Sequence, residues 1–353
     1  MSQKKSLPGF PRRPAVNGGF GGLPPYVWVG LGGTTALILT TYYAFLDEVP
    51  LTKRKRWMAT SLEWEQRLGD AEYKKLLSVH RGDILPANHR AAVTVKRVGE
   101  RLATAASEVL ANKELRLQQR EERKENNNIA SAIKNKPYTY TVIRSDTANA
   151  FVLPGNHVFV MTGLLRYMQD EDDLAAVLGH ETAHNVARHA GEKMSAHVAI
   201  NIVARLSLLF DPTGMLFTWL IPAASLFREL PNSRQQEIEA DQIGLLLSAQ
   251  ACFDPRAAPR FFRKLQQEND DKRRANVVFL STHPSHDRRI GRLEESMPKA
   301  LTIFQQDRCA SLRQAMKEAR QAAAFQALTR ERQHNHHHRA SHNNTSPSSE
   351  RDW

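Results

Sequence analysis

Cysteine is almost missing from this chain. Two occur in 353 residues, Cys252 and Cys309. That is too few for a disulfide scaffold or a cysteine-rich zinc module. Aromatic residues reach only 7%. Acidic residues are absent from the first 46 positions, the first being Asp47. Long apolar runs are scarce as well, and a mean hydropathy of −0.49 argues against a polytopic membrane protein. Positive charge, by contrast, is plentiful: 49 Lys and Arg against 37 Asp and Glu, a formal +12. Such an excess suits an anionic partner, nucleic acid or a membrane surface. Here it gathers near the ends and in short runs, which reads better as solvated basic faces. No recognition motif accompanies it, so no nucleic-acid partner is expected. The apolar fraction of 41% excludes disorder throughout. The length fits one sizeable core or two small ones, since domains run about 100–200 residues.

Residues 1–25 form a basic leader rich in Gly and Pro, which disfavours a continuous helix. Residues 26–46 then give 21 positions without charge, with Tyr26 and Trp28 near one end and Tyr42 and Tyr43 near the other. A bilayer core needs about 20 helical residues with aromatic belts. The segment is too long for the apolar region of a signal peptide, and no small-residue cleavage site follows. The spacing therefore predicts a single transmembrane helix over 26–46 that contacts the lipid bilayer. Its orientation stays open, because Lys53, Arg54, Lys55 and Arg56 balance the four basic residues that precede it. The acid-free leader also suits mitochondrial import.

Residues 57–111 carry two helical patterns: Trp57, Leu62, Trp64, Leu68, Tyr73 and Leu77, then Ala91, Val95, Val98, Leu102 and Val109. Residues 113–135 are charged or amide-rich and read as an exposed loop or a solvated helix. Residues 138–143 alternate like a strand, and 151–153 and 158–161 read as two more around Pro154 and Gly155. Helical pattern then persists to about residue 325. Residues 326–353, with His334, His336, His337, His338 and His342, read as a disordered tail. Between 195 and 227 only Arg205 and Asp211 are charged. Buried helices covering the active site are favoured there over a hairpin dipping into the bilayer.

The strongest chemical signal is His180-Glu181-Thr182-Ala183-His184, inside the helical stretch 173–190. Residues i and i+4 share a helix face, about 6 Å apart, so both imidazoles reach one zinc ion. Glu181 sits about 100° round the helix. It can reach a water on the metal without being a ligand. Zinc hydrolases divide the work this way: the metal brings the water's pKa to about 7, and the carboxylate takes the proton. A third ligand is sought further on. Ala190 stands where one known pattern places a histidine, and His189 points away from His184's side of the helix, which marks it as structural. The stretch 233–241 is the better source, because Glu237 and Asp241 share a face while Glu239 points elsewhere. One carboxylate on zinc and another orienting a ligand histidine is ordinary site construction.

The two motifs together resemble the gluzincin peptidases that include the Ste24 prenyl-protein proteases and the HtpX heat-shock proteases. The segments 149–155, 158–165, 252–255 and 281–290 narrow the resemblance to the mitochondrial inner-membrane Oma-type metallopeptidases, over residues 137–292. Asn156 departs from that pattern, standing where a second glycine is usual; Asn tolerates positive φ. The resemblance implies a mostly α fold with a small β-sheet (α+β), forming a zinc metallopeptidase domain over 47–325. It implies one Zn²⁺ held by His180, His184 and Glu237, with Glu181 as general base. It places His283 near the site as an oxyanion stabiliser, although a loop role packing on Pro284 competes, and it lets Arg288 brace the helices through Asp241. The strand around 149–161 would line the cleft and accept an extended substrate as an added strand. Implied substrates are inner-membrane proteins cut under stress, the dynamin-like fusion GTPase among them, and homo-oligomerisation stays open. Rival readings are a sister-branch protease, or a tethered binding module with a relict site that the intact Glu181 disfavours.

Overall fold

The computed structural model describes residues 25–118, 136–215, 218, 231–270, 277–283, 287–319 and 321–322. It divides into two units, Met1–Leu46 and Asp47–Trp353. In the first, the described residues form helix α1 (Pro25–Ala44). The helix lies where the sequence puts it, but it is not a span. No helix among the described residues is long and apolar enough to cross a membrane. The expected transmembrane helix over 26–46 is therefore corrected. The run lacks charge but is not apolar enough for a span. Gly30, Gly32 and Gly33 with Thr34, Thr35, Thr40 and Thr41 add almost no hydrophobic transfer energy. The leader before residue 25, the charged stretch 119–135 and the histidine-bearing tail lie outside the described residues.

The second unit is mostly helical with two small sheets. Strands β1 (Leu46–Glu48) and β2 (Lys55–Trp57) pair as a short ribbon that the basic run had concealed. Helix α2 (Leu62–Val79) follows, its first turn capped by the Ser61 hydroxyl accepting from the Trp64 amide. Helix α3 (Arg90–Gln118) supplies Val95, Val98 and Leu102 to the core.

Three strands come next: β3 (Thr139–Ile143), β4 (Ala150–Leu153) and β5 (His157–Met161). Their order is β3-β5-β4, with β3 and β5 parallel and β4 antiparallel to β5. The turn between β4 and β5 needs left-handed backbone at Gly155 (φ 87) and Asn156 (φ 68). Asn is one of the few residues with a side chain that enters this region readily. Its amide then donates to Lys136 O at 2.6 Å, tying the turn to the start of β3.

Helices α4 (Thr162–Leu165), α5 (Glu171–Val186), α6 (His189–Phe210), α7 (Pro231–Gln250), α8 (Ala257–Asp270), α9 (Val278–Thr282) and α10 (Asp287–Phe304) complete the unit. Helix α5 is the central element. It is buried continuously from Asp173 to His184, between α3, α7, α8 and β4. Its first turn carries Glu171, Asp172 and Asp173, which complement the positive helix end, and Asp170 caps it by accepting from the Asp173 amide. Leu174, Val177 and Leu178 meet Ile243, Leu247, Phe261 and Leu265 in one core. The two cysteines do pair: the disulfide Cys252–Cys309 joins residues 57 apart, just beyond α7 and α10. On α6, Ile202, Val203, Leu206 and Leu208 are exposed. This part of 195–227 is therefore not the buried cover expected from its lack of charge, and most of 216–230 lies outside the described residues.

Helices α5 and α7 cross at glycines. A Cβ built on Gly244 would lie 2.8 Å from both Gly179 C and His180 N. Helix propensity favours Ala over Gly by about 1 kcal/mol, but this contact is with rigid backbone. Gly244→Ala should therefore destabilise by about 1–3 kcal/mol, the usual penalty for overpacking, and lower the midpoint of thermal unfolding. An unchanged or raised midpoint would mean that the helices tolerate separation.

Candidate metal centre and active site

Helix α5 presents His180 and His184 one turn apart, with ring centroids 4.7 Å apart. Helix α7 brings Glu237 against both: Oε2 lies 3.4 Å from His180 Nε2, and Oε1 lies 3.4 Å from His184 Nε2. His283, at the end of α9, completes the group. Its Nδ1 is 3.0 Å from Glu237 Oε2 and 3.2 Å from His180 Nε2. One ligand atom from each of these four residues lies within 4.8 Å of the others. Both α5 histidines turn Nε2 inward, the arrangement two imidazoles need to share one cation.

The electrostatics suit a cation. Burial opposes ionisation of Glu237, yet hydrogen bonds from His180, His184 and His283 outweigh it and hold the carboxyl well below its usual range. Burial also opposes a charge on His180, but Asp241 and Glu237 override it and push the imidazole up to about 9. The carboxylates that favour a proton there favour a metal ion in its place. Burial keeps His184 neutral, far below its ordinary pKa, which is the ligating form. Glu181 is 2% exposed, and burial raises its carboxyl pKa. Its Oε1 is buried without a hydrogen-bond partner, 3.5 Å from His283 Nε2. An orphaned buried carboxylate oxygen beside a two-histidine, one-carboxylate set is what a hydrolytic zinc site would use. The residues present fit the metal.

Asp241 stands behind His180. Its Oδ1 is 3.0 Å from His180 Nδ1. Arg289 closes the pair from α10, with Nη2 2.8 Å from Asp241 Oδ1 and Nε 2.7 Å from Oδ2. The bracing arginine is thus Arg289 and not Arg288. On a helix adjacent residues point about 100° apart, and Arg288 is exposed while Arg289 is buried. Arg289 also donates from Nη1 to the backbone oxygen of His283 at 3.0 Å, fixing the start of that turn. Pro284 lies outside the described residues.

The cleft beside Glu181 is lined by Phe151, Val152, Pro154, Glu181, His184 and His283, among others. Strand β4 is the edge of its sheet. The Met161 amide bonds Asn149 O at 3.0 Å, so by antiparallel alternation Phe151 and Leu153 face β5, whereas Ala150 and Val152 aim backbone groups outward. The Val152 backbone is the part of that edge that meets the Glu181 carboxylate.

Residues 112–297 match the model of peptidase family M48. The mitochondrial metalloendopeptidase OMA1 of Schizosaccharomyces pombe is 36% identical over 260 residues, 73% of this chain and 68% of that protein. Its namesake in Saccharomyces cerevisiae is 30% identical over 276 residues, 77% and 74% of the two chains. The human metalloendopeptidase OMA1 is 29% identical over 295 residues, 81% of this chain and 52% of that one.

Proposed function

The chain belongs to peptidase family M48, and from that premise we propose that it is a mitochondrial zinc-dependent endopeptidase acting on polypeptides laid along β4. The observation that carries this is the buried His180, His184 and Glu237 group with the unpartnered Glu181 oxygen beside it. Zinc bound there would polarise the scissile carbonyl and acidify the attacking water. Glu181, destabilised as an anion by burial, takes the proton and passes it to the leaving amine. His283, with Nε2 turned toward Glu181, is placed to donate to the oxygen that gains charge as the carbonyl is attacked. Arg289 holds His283 through its backbone.

Substrate binding by strand addition would draw specificity from few side chains, because it uses the main chain of the half-buried stretch 151–153 of β4. The relatives' printed names support a mitochondrial setting. Membrane proteins of that organelle, including the dynamin-like fusion GTPase, are the first substrates to try. The test uses purified chain and an extended peptide. Activity should vanish on chelation and return with about one equivalent of zinc. N-methylation of the peptide amides facing β4 should raise KM by about 10-fold, the scale of one hydrogen bond. Cleavage indifferent to chelation would sink the zinc reading, and KM indifferent to N-methylation would sink strand addition.

A further inference from the structure

The second metal histidine also has a partner behind it, although not the kind found at the first. His184 turns Nδ1 away from the centre, where His189 Nδ1 lies 2.8 Å off. The far nitrogen of His189, Nε2, is 3.0 Å from Glu239 Oε2. Glu239 is in turn gripped by Arg54, whose Nε and Nη2 lie 3.1 and 2.9 Å from Oε2, and by the Thr52 hydroxyl on Oε1. His189 and Glu239 are each 1% exposed. We propose that Glu239, acting through His189, positions His184 for the metal, and that Arg54 holds Glu239 to that task. This rests on the reading of His184 as a ligand.

Proton placement makes the chain directional. A contact between two Nδ1 atoms needs one proton, supplied by one ring and accepted by the other. His184 must keep Nε2 bare for a cation, so its proton sits on Nδ1 and His189 accepts there. His189 then carries its own proton on Nε2 and donates it to the Glu239 carboxylate. One tautomer assignment satisfies all three groups. The two ligand histidines are thus supported in parallel: His180 by Asp241 and Arg289, His184 by Glu239 and Arg54 through an interposed imidazole. Helix α7 supplies both carboxylates as well as Glu237. The arginine comes from the ribbon at residues 46–57, where Arg54 also bonds Glu192 with Nη1 and Nη2 at 2.8 and 2.7 Å. Arg56 reaches the carbonyl of Ala187 in the turn just before His189.

Metal affinity of the full chain, measured by competition with a chromophoric chelator, tests this together with the visible spectrum of the Co²⁺-loaded protein. Loss of an outer partner weakens metal binding by about 10–100-fold. Glu239→Gln should show that loss, with altered cobalt bands and a lower kcat at unchanged KM. Arg54→Gln should move affinity in the same direction by less, and Arg54→Lys should recover part of it. Arg54 sits at a partly exposed edge, so this pair keeps the test open if Glu239→Gln does not fold. Asp173→Asn is the control: it removes a buried carboxylate of α5 that pairs with Arg260 at 2.6 Å, far from the ligands. It should lower the unfolding midpoint and leave zinc affinity alone. The proposal is overturned if folded Glu239→Gln keeps wild-type affinity and cobalt spectrum, or if Asp173→Asn weakens zinc equally. His184→Ala separates the two layers. Should it bind zinc as tightly as the wild type, the ligand reading itself falls.

Discussion

Glu181→Gln keeps its zinc and loses activity by about 10²–10⁴-fold, the usual size of a general-base contribution. The substitution preserves shape at a position that is 2% exposed. It removes a buried carboxylate oxygen that accepts no hydrogen bond among the described residues. An amide cannot take a proton from water, while the proposed ligand atoms of His180, His184 and Glu237 are untouched. Elemental analysis of the purified variant, set beside turnover of one peptide, reads both halves of this expectation. Should Glu181→Gln come out metal-free, the residue is a ligand and the assignment of roles fails. Should it stay fully active, proteolysis does not run through this cleft.

Glu237→Gln has the opposite signature. It should lose metal during dialysis and lose activity with it, by more than the roughly 10–100-fold that an outer partner contributes to affinity. Among the described residues Glu237 is the only carboxylate touching both α5 histidines, and its negative charge would offset the incoming cation. A neutral amide supplies neither the charge nor a comparable donor. The group is held ionised by three histidines despite burial, so the native site is already arranged around an anion. Added zinc at high concentration should restore part of the activity. A Glu237→Gln protein that retains a full equivalent of zinc through dialysis would move the third ligand elsewhere, with His283 first in line.

The parts of this site that the sequence discloses are those set by local periodicity. Two histidines at i and i+4 share a face whatever the fold, and Glu237 and Asp241 share another for the same reason. The strands at 139–161 show as short β-branched and aromatic runs around Pro154 and Gly155, with alternation in the sequence only at 138–143; β5 is buried on both faces. What stayed hidden depends on contacts between distant segments. Arg288 and Arg289 are indistinguishable in the sequence; only the phase of α10 against α7 selects the second. His189 does not share the helix of His184, as its spacing assumed: Arg188 in left-handed backbone (φ 52) separates α5 from α6, and His189 turns Nε2 to Glu239, 50 residues on. The basic run at 53–56 looked like the flank of a membrane span because charge-free residues precede it. Its arginines instead close ion pairs with Asp47, Glu192 and Glu239. Two cysteines carry no pattern at all until α7 and α10 set them side by side.

The order in which such a site can come into being follows from where its parts lie along the chain. His180 waits for Asp241, 61 residues later, and for His283, 103 residues later; Arg54 waits 185 residues for Glu239. Contacts this remote close late, because loop entropy must be overcome before they form. During synthesis the helix that bears both histidines and the base emerges with no carboxylate ligand to complete it. A chain that stops short of Glu237 therefore lacks the carboxylate that the proposed site requires.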